Sequence, residues 1–243
     1  MENNFALVML FWDDGQVKSD RLLNVKYTWK KLKELCNELK KNDIKFDVEL
    51  FDFSNEQKML NATHIPYPLG EYKKSEKNNI VLNKYKNYSH IIFFDCDTFF
   101  YNENYMDVIN LLKSVKENTI ITFDLAKLNK DDSLMIIKND YIDIEKTDWQ
   151  YAYSGNKKYG PLSNGRIGAL GGIFLSSIPL LLKIGGFDEK YVGWGGEDGE
   201  IMDRIYGSKI SHEIISCRTF SPFHLYHFVD YSNKKYVERF KTD

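Results

Sequence analysis

The sequence predicts an α/β domain with a mostly parallel central sheet flanked by helices, and three observations carry that prediction. Short apolar runs rich in β-branched and aromatic residues recur at 5–12, 91–94 and 120–123. Runs of that length without polar alternation are strands buried on both faces, the signature of a parallel sheet between helices. An amphipathic helical stretch at 20–42 separates the first run from an alternating strand at 46–51, which is the spacing of a βαβ unit. No linker-like break in composition interrupts the 243 residues. One domain over 1–243 is expected, with a regular half (1–125) and a less regular half (126–243).

Taken in order, the first strand ends at Asp13, Asp14 and Gly15. In the helix that follows, Leu22, Val25, Trp29, Leu32, Cys36 and Leu39 recur at three- and four-residue spacing with lysines opposite. Residues 55–77, with Pro66, Pro68 and Gly70, read as an irregular connection, and 77–88 as a helix leading into the strand at Ile91. The stretch 105–116 is helical, with Val108, Ile109, Leu111, Leu112 and Val115 on one face. Residues 127–165 carry no clear period and are expected to form loops and short strands. Residues 173–175 read as a strand. Ser176 or Ser177 is placed to cap the next helix, Pro179 sits in its first turn, and Gly185 ends it in the left-handed conformation.

Composition excludes several classes. A formal net charge of −2 gives no electrostatic basis for bulk binding of DNA or RNA. Cys36, Cys96 and Cys217 are too widely and irregularly spaced for a zinc site or a disulfide framework, which points to a reducing compartment. No signal peptide is legible and no apolar run is long enough to span a bilayer, so a cytoplasmic protein, or one peripheral to a membrane, is expected.

Two stretches carry chemistry. Asp95-Cys96-Asp97 closes the run Ile91-Ile92-Phe93-Phe94. A buried strand cannot hide two unpaired carboxylates, so the strand ends there in a cleft, where Mg²⁺ or Mn²⁺ on a diphosphate would sit. Capping or a solvated strand end is the plainer account of two such acids. Far downstream, Gly193-Trp194-Gly195-Gly196 precedes Glu197-Asp198 at the start of a probable helix. Carboxylates favour a helix N-terminus in any protein. Here the glycines also expose the turn, Trp194 offers a ring for stacking on a sugar, and one acid can take a proton from a hydroxyl. His224 and His227 follow. In a regular strand only one of them would face a given site, whereas a turn would bring both.

The segment from Gly171-Gly172 through Gly186-Phe187 to Gly193-Trp194-Gly195-Gly196-Glu197-Asp198 resembles the carboxyl-terminal motif of the β-1,4-galactosyltransferase family and its chondroitin-polymerising relatives. Asp95-Cys96-Asp97 is similar to the D-x-D of GT-A glycosyltransferases. Val192 departs from the fuller motif, where the family has a tryptophan. The resemblance implies a GT-A, Rossmann-like nucleotide-diphospho-sugar transferase fold and an inverting transfer. The donor would be a UDP-sugar of galactose or N-acetylgalactosamine type, and the acceptor a glycan or glycoconjugate, as in polysaccharide biosynthesis. It implies Mn²⁺ or Mg²⁺ held by Asp97 and His227, with Asp95 and His224 as further candidates. It gives Asp198 the general-base role, with Glu197, Trp194 and Gly195 on the acceptor. Phe11, Trp12, Asp13 and Asp52, near the first two strand ends, are candidates for the nucleotide together with Asp95 and Asp97. Ala169, small beside the implied donor sugar, would leave room for an acetamido group. A metal-dependent nucleotidyltransferase and a non-catalytic carbohydrate-binding protein are the alternatives; the first leaves the Gly-Trp-Gly-Gly-Glu-Asp run without a role, the second leaves the Asp pair idle.

Overall fold

The computed structural model describes residues 3–12, 20–68, 73–123, 125–142, 150–152, 172–191, 197–217 and 220–227. In chain order these form β1 (Asn4–Phe11), α1 (Asp20–Lys41), β2 (Lys45–Asp52), β3 (Thr63–His64), α2 (Lys74–Lys84), β4 (His90–Asp95) and β5 (Thr98–Phe99). After a 3₁₀ turn (Asn102–Asn104) come α3 (Tyr105–Ser114), β6 (Thr119–Phe123), β7 (Leu125–Lys127), α4 (Lys130–Asn139), β8 (Gln150–Ala152) and β9 (Ile173–Ser177). The chain continues through α5 (Ile178–Lys183), α6 (Glu197–Gly207), β10 (Glu213–Cys217) and β11 (Phe223–His224).

Seven strands make the main sheet, in the order β10-β6-β9-β4-β1-β2-β3. All neighbours are parallel except β9, which runs antiparallel to both β4 and β6. Period-two alternation sorts the strand residues onto two faces. Phe5, Leu7, Met9, Ile92, Phe94, Ile121 and Leu175 pack beneath α1 and α3. Ala6, Val8, Ile91, Phe93, Ile120 and Phe174 pack against Val81 and Leu82 of α2, Leu180 and Leu181 of α5, and Ile201 and Ile205 of α6. Both faces being covered is why these strands read as continuous apolar runs. Among the described residues no helix is long and apolar enough to cross a membrane.

A second sheet, β5-β11-β7-β8, stands at the carboxyl end of β4 over a smaller core of Tyr27, Phe99, Ile136, Phe223 and Leu225. Two expectations change here. The helix α2 starts at Lys74, three residues earlier than its apolar pattern predicts. The stretch expected to be only loops and short strands contains α4, capped by Asn129, whose side chain accepts from the Asp132 amide at 2.9 Å. That helix buries only Ser133 and Ile136 and exposes Leu134 and Met135, so it has no apolar stripe for periodicity to reveal. The capping expectation for α5 is met by Ser177, whose hydroxyl accepts from the Leu180 amide. Gly185 has φ +88°, and Gly186 follows in the same region at φ +72°.

Candidate active site

The site is built where β4 ends. Beside it, β9 brings Gly172 across: the Asp95 amide donates to the Gly172 carbonyl at 2.7 Å, and the Gly172 amide donates to Asp95 Oδ2 at 3.2 Å. Gly172 has φ +83°, and a Cβ there would lie 2.6 Å from the Leu125 side chain, so the position admits only glycine. The Thr98 hydroxyl donates to the carbonyls of both Asp95 and Gly172. The Asp95-Cys96-Asp97 turn is thereby pinned from two sides.

Asp97 meets the two histidines. β11 pairs antiparallel with β5, placing His224 opposite Thr98, and the Leu225 amide donates to the Asp97 carbonyl at 2.8 Å. The strand stops at His224. The Tyr226 amide then donates to Ser133 Oγ of α4 at 2.8 Å, and Asn24 Nδ2 of α1 donates to the Tyr226 carbonyl at 3.1 Å. This turned backbone lets both imidazoles face one carboxylate: His227 Nε2 lies 3.3 Å from Asp97 Oδ2, and His224 Nε2 lies 3.7 Å from Oδ1. The ligand atoms of Asp97, His224 and His227 all fall within 4.8 Å of one another. Asp95 is not in this group; its carboxylate turns toward Gly172 and α2.

These three residues fit a divalent cation. Among the described residues Asp97 Oδ1 has no hydrogen-bond partner although it is buried, an arrangement that is costly unless a cation completes it. Burial opposes the charged form of Asp97, but His224, His227, Arg21 and Lys74 outweigh it and hold the carboxyl below its ordinary range. Burial, partly offset by Asp97, pushes the His224 imidazole down, which favours the neutral ring that ligates metals. His227→Ala and His224→Ala are each expected to raise the Mn²⁺ concentration for half-saturation of the site roughly tenfold or more, read by calorimetry. If neither variant moves it, the histidines are structural.

The acid pair opens α6. Glu197 is buried, and Asp198 has a side chain only 15% exposed. Between these acids and Asp95 stands Lys74, the first residue of α2, which sequence reasoning did not single out. Its Nζ lies 3.2 Å from Asp95 Oδ1, 3.9 Å from Asp198 Oδ1 and 4.0 Å from Glu197 Oε1. The available signal was electrostatic: Lys73 and Lys74 start a helix whose N-terminus disfavours cations. Burial, with Glu197 and Asp95 nearby and despite Lys74, pushes the Asp198 carboxyl up to about 7.

The strand-end candidates divide. Trp12 is buried at the end of β1, and Lys77 Nζ lies 4.3 Å from its ring centroid and 4.4 Å from that of Tyr67. Burial pushes that ammonium down to about 7. Phe11 belongs instead to the core beneath α1. Asp52 is fully buried; Oδ1 accepts from the Ser54 amide at 3.0 Å, and Oδ2 from the amides of Lys58 and Met59 at 2.6 and 2.9 Å. Its oxygens organise the turn after β2 and do not reach the Asp95 cluster. Asp13, Ala169, Gly171, Trp194 and Gly195 lie outside the described residues.

Residues 162–228 match the family model described as the N-terminal domain of galactosyltransferase. No curated protein sequence matches the chain. Among solved structures, the catalytic domain of Drosophila beta1,4galactosyltransferase 7 in complex with xylobiose is similar at TM-score 0.52 and 14% identity, over 93% of this chain and 71% of that one. A mutant of that enzyme in complex with manganese, UDP-Gal and xylobiose gives 0.51 and 14% over the same shares. GalNAc-T7 with UDP, GalNAc and Mn²⁺ gives 0.52 and 15%, over 93% of this chain and 44% of that one. The chain has the GT-A fold of these glycosyltransferases, and its residues 162–228 resemble the galactosyltransferase family.

Proposed function

We propose that the protein is a metal-dependent, inverting glycosyltransferase that moves a hexose or N-acetylhexosamine from a UDP-sugar to a hydroxyl of a glycan. The observation that carries this reading is the convergence, at one end of β4, of the Asp97–His224–His227 group with the buried acid pair of α6. The ligands of the similar structures, manganese with UDP-Gal and Mn²⁺ with UDP and GalNAc, support the donor class.

Asp97, His224 and His227 would hold the cation, which when bound supplies positive charge to the diphosphate as it leaves. Asp95 flanks that group, and Trp12 with Lys77 provides an aromatic and basic wall at the end of β1. Asp198 takes the proton of the acceptor hydroxyl as its oxygen attacks the anomeric carbon. The bond from that carbon to the diphosphate oxygen breaks on the opposite face, and UDP departs with the electron pair. Glu197 holds a neighbouring hydroxyl of the acceptor. Among the described residues, Asp198 Oδ1 and Glu197 Oε2 are buried without hydrogen-bond partners, as groups awaiting a polar ligand would be.

The test is UDP release with Mn²⁺ from UDP-galactose, UDP-N-acetylgalactosamine, UDP-glucose and UDP-N-acetylglucosamine, against a panel of p-nitrophenyl glycosides. One donor of galactose or N-acetylgalactosamine type is expected to give acceptor-dependent UDP, lost on adding a chelator. Pyrophosphate release from UTP with a sugar phosphate, and no UDP release, would make the protein a nucleotidyltransferase. Glycoside binding with no turnover of any donor would make it a binding protein.

A further inference from the structure

We propose that Lys74 is a positioning residue that couples the donor half of the site to the acceptor half, by gathering Asp95, Glu197 and Asp198 around one ammonium and so fixing the direction of the Asp198 carboxylate. The inference rests on the glycosyltransferase reading above, with Asp198 as base.

Three elements that share no local contact in sequence meet at this nitrogen: the start of α2, the end of β4 and the start of α6. Nζ is 3.2 and 3.4 Å from the two oxygens of Asp95, and 3.9 and 4.0 Å from Asp198 Oδ1 and Glu197 Oε1. The side chain is only 14% exposed, so its charge acts through little water. Among the described residues, Glu197 Oε2 and Asp198 Oδ1 have no hydrogen-bond partner that would otherwise fix them. Without the ammonium, the two little-exposed carboxylates of Glu197 and Asp198 would face each other and the more exposed Asp95 uncompensated, and would be driven apart. A lysine at a helix start is unfavourable for the helix itself, so its placement answers to the acids and not to α2.

The geometry also says why the coupling serves transfer. Asp95 belongs to the turn that carries Asp97, whereas Asp198 belongs to the helix that meets the acceptor. A cation touching both sets the distance between leaving group and base. Misplacement of a base by about 1 Å costs on the order of 10²-fold in rate.

Lys74→Met keeps the stem and removes the charge; Lys74→Arg keeps the charge. Steady-state kinetics with the best donor and p-nitrophenyl glycoside of the panel should show acceptor kcat/KM reduced about 10–100-fold in Lys74→Met. Calorimetric Mn²⁺-dependent UDP affinity should change less than about threefold, and Lys74→Arg should recover much of the transfer. Unchanged acceptor kcat/KM in folded Lys74→Met overturns the inference. So does a fall in UDP affinity that matches the fall in turnover, since Lys74 would then be a donor ligand. Should Lys74→Met fail to fold, Lys74→Arg decides alone. A folded Arg variant with UDP affinity and acceptor kcat/KM both within tenfold of wild type supports the inference, and one that binds UDP normally but transfers nothing overturns it. A wild-type protein that releases no UDP from any donor overturns the glycosyltransferase reading and this inference together.

Discussion

Asp97→Ala should eliminate Mn²⁺-dependent binding of UDP and lower turnover by at least ~10²-fold, the scale on which removal of one well-placed charge-stabilising group acts. The reason is in the geometry. Among the described residues, Asp97 is the carboxylate grouped with both imidazoles, and it lies nearly dry, with one oxygen lacking a hydrogen-bond partner there. A cation held by two neutral rings alone would lose the charge that favours it most in such a place. Asp95, 37% exposed and committed to Lys74 and the Gly172 amide, is poorly placed to substitute. The fold should survive, because the strand pairing and the Leu225-to-Asp97 backbone bond use main-chain atoms only. Titration of Mn²⁺ and UDP into the variant by calorimetry checks this. Unchanged metal-dependent affinity would show that Asp97 is not a ligand.

The sequence was most informative where burial imposed a repeating pattern. β1, β4 and β6 are covered on both faces, so they had to be apolar throughout, and α1 and α3 had to present a stripe. The antiparallel insertion of β9 between β4 and β6 was not legible, because a strand buried on both faces looks alike in either direction. α4 was missed because its inner face is slight: it buries Ser133 and Ile136, half-buries Ile137 and exposes Leu134 and Met135.

At the site, the Asp-x-Asp turn and the acid pair could be read as chemistry because carboxylates at the end of an apolar run demand an explanation. The two histidines were legible as residues but not as a pair. Whether both reach Asp97 depends on where β11 stops, and that is decided by Ser133 and Asn24, far away in sequence. Lys74 was hidden for a related reason. One lysine among many in 73–86 is recognisable only when the three acids it serves are brought together from 95, 197 and 198. Asp52 has a structural task that its position at a strand end does not announce: its oxygens accept from three backbone amides of the turn after β2.

Asp198→Asn should abolish acceptor-dependent transfer, by the ~10²–10⁴-fold that a positioned base contributes, while leaving Mn²⁺-dependent UDP binding intact. The amide keeps the shape of the side chain and cannot accept the proton. In the proposed function the donor is held elsewhere, at Asp97 and the histidines, so affinity and turnover should separate in this variant as they should not in Asp97→Ala. Burial raises the Asp198 carboxyl from 3.8 to about 7, which gives two further consequences of known sign. In the wild type, kcat/KM should fall as pH drops below about 7, since only the ionised form can act as base. Stability follows the opposite course. A carboxyl with a raised pKa in the folded state contributes stability that is fully present below its unfolded pKa, near 4, and lost as pH rises through 7. Asp198→Asn has no such loss, so its melting temperature should exceed that of the wild type at pH 8, with the difference shrinking as pH approaches 4. The measurements are a pH–rate profile of the wild type and paired melting curves of both proteins from pH 4 to pH 8. Near-normal transfer by Asp198→Asn at saturating acceptor would move the base to Glu197 or Glu200, and a melting difference that does not change with pH would remove the buried charge from the account.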